Sequence, residues 1–202
     1  MMKQIIVATN NKNKLAEFQD IFKSNQIHVI SMKEAGIEVD PDENGLTIED
    51  NARIKARAVW DICHKPVLAD DTGLFVDALD GEPGIHAARY AGDPQDSDRN
   101  IDKLLTKLGD LPKEKRTARF ITAICYIDEN GEEHFVHGIC EGWIAFERMG
   151  EGFGYEPVFC IINGFTLAEI GREAKDRRSH RARAAHKLAF YLRNIKKIRR
   201  SL

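Results

Sequence analysis

Ile5-Ile6-Val7-Ala8 is a short unbroken apolar run; after the polar stretch Thr9-Asn10-Asn11-Lys12-Asn13-Lys14, apolar residues return at helical spacing at Leu15, Phe18, Ile21 and Phe22. The pattern predicts a buried strand, a loop and a helix, in that order. Thr47-Ile48-Glu49-Asp50 has the spacing of a capping box, with Asp50 as a shorter substitute for Glu, and predicts a helix through Ala52, Ala58, Val59 and Ile62. Pro66-Val67-Leu68-Ala69 reads as a second short strand that ends in a turn at Asp70-Asp71-Thr72-Gly73. Past the Gly/Pro-rich stretch Gly81-Glu82-Pro83-Gly84, a helix is expected from about Asp98 to Leu108. Two long apolar runs follow at 117–127 and 135–146, with Asn130-Gly131 between them. Both of those residues tolerate positive φ, so the dipeptide predicts a type I′ hairpin between long antiparallel strands. Thr166-Leu167-Ala168-Glu169 is a second capping box, and Ser179 is placed to cap a last helix with apolar positions Leu188, Leu192 and Ile195. The order of elements gives an α/β protein with a mixed sheet.

At 202 residues the chain is long enough to bury a sizeable core, and no repeat or linker divides it, so residues 1–202 are expected to form one compact unit. Its 30 Lys+Arg nearly balance 32 Asp+Glu. That balance removes the broad basic field by which nucleic-acid-binding proteins attract their partner, so a polyanion must be held by a local site. Cys63, Cys125, Cys140 and Cys160 lie far apart and contain no CxxC pair, which excludes a readable zinc cluster or thioredoxin-like motif and suits free thiols in a reducing cytosol. The N-terminal apolar run is much shorter than a signal h-region or a membrane span of ~20 residues. A cytoplasmic protein is expected.

Several segments carry candidate chemistry. Thr9, Asn10, Asn11, Lys12, Asn13 and Lys14 lie between a strand and a helix, where amides and the positive helix end favour an anion. The segment lacks the GxxxxGK[ST] pattern, so it is either a phosphate cradle of another kind or an ordinary turn using Asn for its dihedrals. Asp70 and Asp71 offer hard oxygen ligands suited to Mg²⁺, or form an Asx turn; Glu43, in the acidic loop 40–45, either adds a third carboxylate or is solvated. Lys55 falls one helical turn after Asn51, so the two project from one side. Lys55 itself suits either an anion contact or a snorkelling surface position. The Gly-rich segment holding Phe153, Gly154, Tyr155 and Glu156 offers rings either for base stacking or for packing. His180 and Arg181 fall in the first turn of a helix, where positive charge opposes the macrodipole, so a nucleotide or solvent must compensate them.

Taken together, Ala8-Thr9-x-Asn11-x-x-Lys14, the segment Thr47 to Lys55, Leu68 to Leu74, Pro83-Gly84 with Ala88-Arg89-Tyr90, Phe153-Gly154-Tyr155 and Ser179-His180-Arg181 resemble the inosine triphosphate pyrophosphatase family, in the family's order and over nearly the whole chain. The resemblance implies a two-lobed α/β fold around a long mixed sheet, with the nucleotide in the cleft, and a homodimer. It implies Mg²⁺-dependent hydrolysis of ITP, dITP and XTP between the α and β phosphates. Carried over by position, Thr9, Asn11, Lys14 and Lys55 hold the triphosphate, and Glu43 and Asp71 hold metal, with Asp71 also the proton acceptor. Thr72, the Phe153 to Glu156 loop, Lys175, His180 and Arg181 contact the nucleotide. Asn10 stands where many relatives have Gly, Thr72 where many have Ser, and Glu156 where Asp is usual. The first two keep turn-forming or hydroxyl chemistry; the extra methylene of Glu156 bears on substrate preference.

Overall fold

The computed structural model describes residues 4–161 and 164–198, with side chains of the last helix described as far as Asn194. In chain order the elements are β1 (Gln4–Val7), α1 (Lys12–Ser24), β2 (His28–Ser31), α2 (Ile48–Cys63), β3 (Val67–Val76), β4 (Pro83–Gly84), α3 (Ser97–Leu108), β5 (Thr117–Ile127), β6 (Glu133–Ile144), β7 (Phe159–Cys160), α4 (Arg172–Arg178) and α5 (His180–Ile198). The sheet is mixed, with strand order β2-β1-β3-β5-β6-β7 and β4 paired to β3. β1 runs parallel to both β2 and β3, whereas β4 is antiparallel to β3 and β7 to β6. The α/β class with a mixed sheet is the one expected.

The chain packs as two compact units: the first comprises Met1–Asp71, Thr122–Gly138 and Arg181–Leu202, the second Thr72–Ile121 and Ile139–His180. Strand alternation builds the first unit. Ile5 and Val7 of β1, Leu68 of β3, and Ile124 and Tyr126 of β5 pack with Phe18, Ile21 and Phe22 of α1 and Ala185 and Leu188 of α5. The intervening residues Ile6, Val67, Ala69, Cys125 and Ile127 pack with Ala52, Ala56 and Val59 of α2. Strands covered by helices on both faces must be apolar at every position, which is why β1 reads as a continuous run. In the second unit Leu74, Val76, Ala118, Phe120, Cys140 and Ile144 pack with Ile101, Leu104 and Leu108 of α3. At its heart Arg116 is 1% exposed and donates to the carbonyls of Gly109, Ile144 and Ala145 at 2.9, 2.7 and 2.8 Å.

Several local expectations hold. Thr47 caps α2 through its Oγ1, which accepts from Asp50 N at 3.1 Å, while the short Asp50 side chain accepts from the Thr47 hydroxyl at 2.8 Å. Others need correction. Asp70-Asp71-Thr72-Gly73 does not turn: these residues lie inside the ten-residue strand β3. Gly73 is there because a Cβ would come within 2.6 Å of the Phe75 ring and 3.0 Å of the Gly84 carbonyl, a close approach in the β3–β4 pair. The hairpin between β5 and β6 is not type I′, because only Gly131 takes positive φ, at 82°. Asp128 closes the turn instead, accepting from Gly131 N through its carbonyl and from Asn130 N and Glu132 N through its carboxylate. The box at Thr166 forms its reciprocal bonds with Glu169, yet only a turn follows, and the helix opens later at Arg172. On α2, Ile62 is 56% exposed; the buried face runs through Asn51, Ala52, Ala56 and Val59. The side chain of Ile195 lies outside the described residues. No described helix is long and apolar enough to cross a membrane.

Candidate functional site

Because β3 continues through both aspartates, its alternation sends Asp70 and Asp71 to opposite faces of the strand, and each meets a different set of charges. Asp70 is 1% exposed, and its Oδ2 lies 3.2 Å from Lys14 Nζ of α1 and 3.1 Å from Arg181 Nε of α5. Arg181 also donates through Nη1 to Glu17 Oε2 at 2.6 Å, which completes a buried chain of alternating charge from Glu17 to Lys14. Burial alone would raise the Asp70 carboxyl, but Lys14, Arg181 and Lys55 outweigh it and hold the group well below the usual carboxylate range. Burial pushes the Lys14 ammonium down, with Asp70 pulling the other way.

On the other face Asp71 Oδ1 lies 3.2 Å from Lys55 Nζ, and the same ammonium lies 2.5 Å from Glu43 Oε2. Asn51, one helical turn before Lys55, donates through Nδ2 to Asp71 Oδ2 at 3.3 Å. The expected common face of Asn51 and Lys55 on α2 is therefore used, and Lys55 is no snorkelling surface residue. Burial is the largest influence on Asp71 and raises its carboxyl above the usual value despite Lys55 and Lys14. Burial also disfavours the Lys55 charge, but Asp71, Asp70 and Glu43 outweigh it and raise that group.

The β1–α1 loop is organised by its own side chains. Asn11 caps α1, its Oδ1 accepting from Asn13 N at 2.9 Å and Lys14 N at 3.2 Å, while Thr9 Oγ1 accepts from Asn11 N at 3.2 Å. Two of the amides offered to an anion are thus already capped. Asn10 donates to Asp40 at 3.0 Å; Lys12 and Asn13 are exposed at the helix start.

In the second unit Glu156 Oε2 accepts from Phe153 N at 3.0 Å and Oε1 lies 2.7 Å from Lys175 Nζ. Gly152 leaves room for this carboxylate, since a Cβ there would lie 2.9 Å from Glu156 Oε2. Tyr155 is a packing residue: it is buried, its hydroxyl donates to the Ala87 carbonyl at 2.9 Å, and burial raises its phenol. Phe153 and Gly154 are partly exposed, Thr72 is a partly exposed position of β3, and the buried His180 ring stacks on Phe120 at 4.5 Å.

Of the carboxylates expected to hold metal, Glu43 and Asp71 reach one common cation, Lys55, while Asp70 is engaged on its own face by Lys14 and Arg181. Among the described residues no group of three His, Cys, Asp or Glu side chains is placed to hold a metal ion. The compensating charge required by Arg181 comes from Glu17 and Asp70 within the protein. Sequence reasoning assigned no part to Glu17 or Asn51. The signal for Glu17 was present, as an acid three residues after Lys14 within the buried stripe of α1.

The model of the Ham1 family matches residues 5–191. The chain is 44% identical over 193 residues to a dITP/XTP pyrophosphatase of Halalkalibacterium halodurans, covering 95% of this chain and 100% of that one. It is 47% identical to a dITP/XTP pyrophosphatase of Caldanaerobacter subterraneus, with 95% and 96% covered. Among solved structures, the Ham1 protein of Staphylococcus aureus superposes with a TM-score of 0.82 at 39% identity, covering 95% of this chain and 98% of that one. A HAM1 protein of Coxiella burnetii gives 0.83 at 36% identity, with the same shares covered. A family model spanning nearly the whole chain, together with relatives alike in length and fold, establishes that the chain belongs to the Ham1 family.

Proposed function

We propose that the protein hydrolyses the non-standard purine nucleoside triphosphates ITP, dITP and XTP to the monophosphate and pyrophosphate, and so cleanses the nucleotide pool. The curated relatives at 44% and 47% identity, both dITP/XTP pyrophosphatases, support the substrate class. The observation that carries the chemistry is the sharing of one ammonium, Lys55, by the carboxylates of Glu43 and Asp71, with a second buried lysine, Lys14, on the neighbouring aspartate. Lysines in such a place neutralise phosphate oxygens and stabilise a leaving pyrophosphate. Asp71, with its carboxyl raised by burial, is the proton acceptor for the attacking water.

Mg²⁺ is the proposed cofactor, and Glu43 and Asp71 fit it: both are hard oxygen donors, and their convergence on Lys55 brings them within reach of a single cation. Bound there, the ion supplies charge neutralisation and polarisation of phosphate oxygen. Asp70 serves by fixing Lys14. Of His180 and Arg181, whose donors together suit a six-position carbonyl, His180 is proposed to set that preference, because Arg181 Nε and Nη1 are engaged by Asp70 and Glu17. The same reading makes the protein a homodimer, which light scattering in solution tests, and places it in the cytoplasm, a reducing compartment that suits cysteines outside disulfides.

The deciding experiment incubates the protein with ITP, XTP, dITP and ATP, with and without Mg²⁺, and follows products by phosphorus NMR. Pyrophosphate with monophosphate from the first three substrates is expected, dependent on the cation. Orthophosphate as first product, full activity in excess chelator, or equal turnover of ATP overturns the proposal.

A further inference from the structure

Asn51 is 5% exposed and stands in the first turns of α2, where asparagine is a poor helix former unless its carboxamide is used. Both ends of that carboxamide are used. Its Oδ1 accepts from the backbone N–H of Gly45 at 2.8 Å, and its Nδ2 donates to Asp71 Oδ2 at 3.3 Å. The orientation is fixed by chemistry, since an N–H requires an acceptor and a carboxylate requires a donor. The Gly45 contact leaves no space for a side chain: a Cβ would lie 2.7 Å from Asn51 Oδ1 and 2.6 Å from Asp50 Cβ. Gly45 is two residues beyond Glu43, so a bond to its amide holds the backbone of the loop that carries Glu43. With Oδ2 of Asp71 taken by Asn51, it is Oδ1 that meets Lys55, the same ammonium that Glu43 reaches. One side chain therefore contacts the Asp71 carboxylate and the backbone of the loop that carries Glu43.

We propose that Asn51 is the positioning residue of this site, holding the Glu43 loop with its carbonyl oxygen and the Asp71 carboxylate with its amide so that the two acids reach one hard cation. This rests on the reading of Glu43 and Asp71 as the cation-holding pair. Groups that orient metal-binding side chains in this way typically contribute 10–100-fold in metal affinity, by rough precedent. Gly45 belongs to the same device, as the only residue type whose backbone fits against Asn51.

The test is binding of Mn²⁺, in the presence of pyrophosphate, followed by electron paramagnetic resonance, together with calorimetric binding of pyrophosphate without metal. Asn51→Ala and Gly45→Ala are each expected to weaken Mn²⁺ by roughly ten-fold or more. Metal-free pyrophosphate binding, carried by Lys14 and Lys55, should stay near the wild-type value, which general damage to the fold would not allow. Should Asn51→Ala fail to fold, Gly45→Ala carries the test. Wild-type Mn²⁺ affinity in these variants, when Asp71→Asn has lost it, overturns the role of Asn51 alone. If Asp71→Asn also retains it, the cation-holding reading fails and the inference falls with it.

Discussion

Arg181 Nε lies 3.1 Å from Asp70 Oδ2 across 111 positions of sequence, and both residues are almost fully buried. The contact answers an electrostatic difficulty at each end. A cation in the first turn of α5 opposes the helix dipole, and a carboxylate inside β3 cannot be solvated. Paired, and with Glu17 and Lys14 extending the chain, the charges compensate one another. Arg181→Met should therefore leave Glu17 and Asp70 buried without a guanidinium and destabilise the protein by about 3–5 kcal/mol, measured by urea unfolding. Since its Nε and Nη1 are committed to carboxylates, turnover of ITP and ATP should fall in parallel. A stable variant with a changed ITP-to-ATP ratio would show that Arg181 reads the base after all.

If Glu43 and Asp71 hold the proposed cation, Lys55 and that cation call on the same two carboxylates. Lys55→Met should thus act in opposite directions on two ligands: tighter binding of Mn²⁺ alone and weaker binding of pyrophosphate. A unit charge a few ångströms away interacts by about 4 kcal/mol at an effective dielectric of 20, so even partial relief is worth roughly ten-fold in metal affinity. Titration calorimetry with each ligand separately reads both. Weaker Mn²⁺ binding in the variant would mean that the ammonium does not compete for the site.

His180 is buried with its ring stacked on Phe120. As a donor toward a six-position carbonyl it would face the amino group of adenine unfavourably, a mismatch of ~1–3 kcal/mol. His180→Ala should lower kcat/KM for ITP by roughly ten- to two-hundred-fold more than for ATP, flattening their ratio. Kinetics with both substrates decide it, and an unchanged ratio removes His180 from base recognition.

The Glu156–Lys175 pair ties the Phe153 loop to α4, with side chains only 11% and 16% exposed. Glu156→Gln keeps an acceptor for Phe153 N but loses the ion pair, and should cost about 2 kcal/mol. Combined with Lys175→Met in a double-mutant cycle, the two losses should be strongly non-additive. Additive losses would show that the pair contributes no coupling.

Thiol chemistry offers an independent check on packing. Cys63 is partly exposed, while Cys125, Cys140 and Cys160 are buried. Burial pushes the Cys125 thiol up to about 12 and that of Cys160 to about 11, so near pH 8 both stay protonated and unreactive. Native protein should react with a thiol reagent at Cys63 alone, and unfolded protein at all four cysteines. Rapid modification of Cys125 without unfolding would contradict the packing of β5.

What the sequence determined by itself was whatever depends on neighbours a few positions away. The Ile5–Ala8 run became β1, the spacing of Leu15, Phe18, Ile21 and Phe22 became the buried face of α1, and Thr47 caps α2. Helical phase alone put Asn51 and Lys55 on one side of α2; that this side meets Asp71 came from the fold. The same local logic failed where the outcome depended on remote chain. Asp-Asp-Thr-Gly has the composition of a turn, but it lies inside β3 with buried cations against both acids, and alternation then parts Asp70 from Asp71. The Thr166 box forms its hydrogen bonds without a helix behind it, because capping satisfies amides but supplies no apolar face to bury. The tertiary structure alone decided which cation serves which acid: Arg181 for Glu17 and Asp70, Lys55 for Glu43 and Asp71. Charges far apart in sequence carry no spacing that marks their partners; these are chosen by which strands and helices come to lie side by side, and by the cost of leaving any buried charge alone.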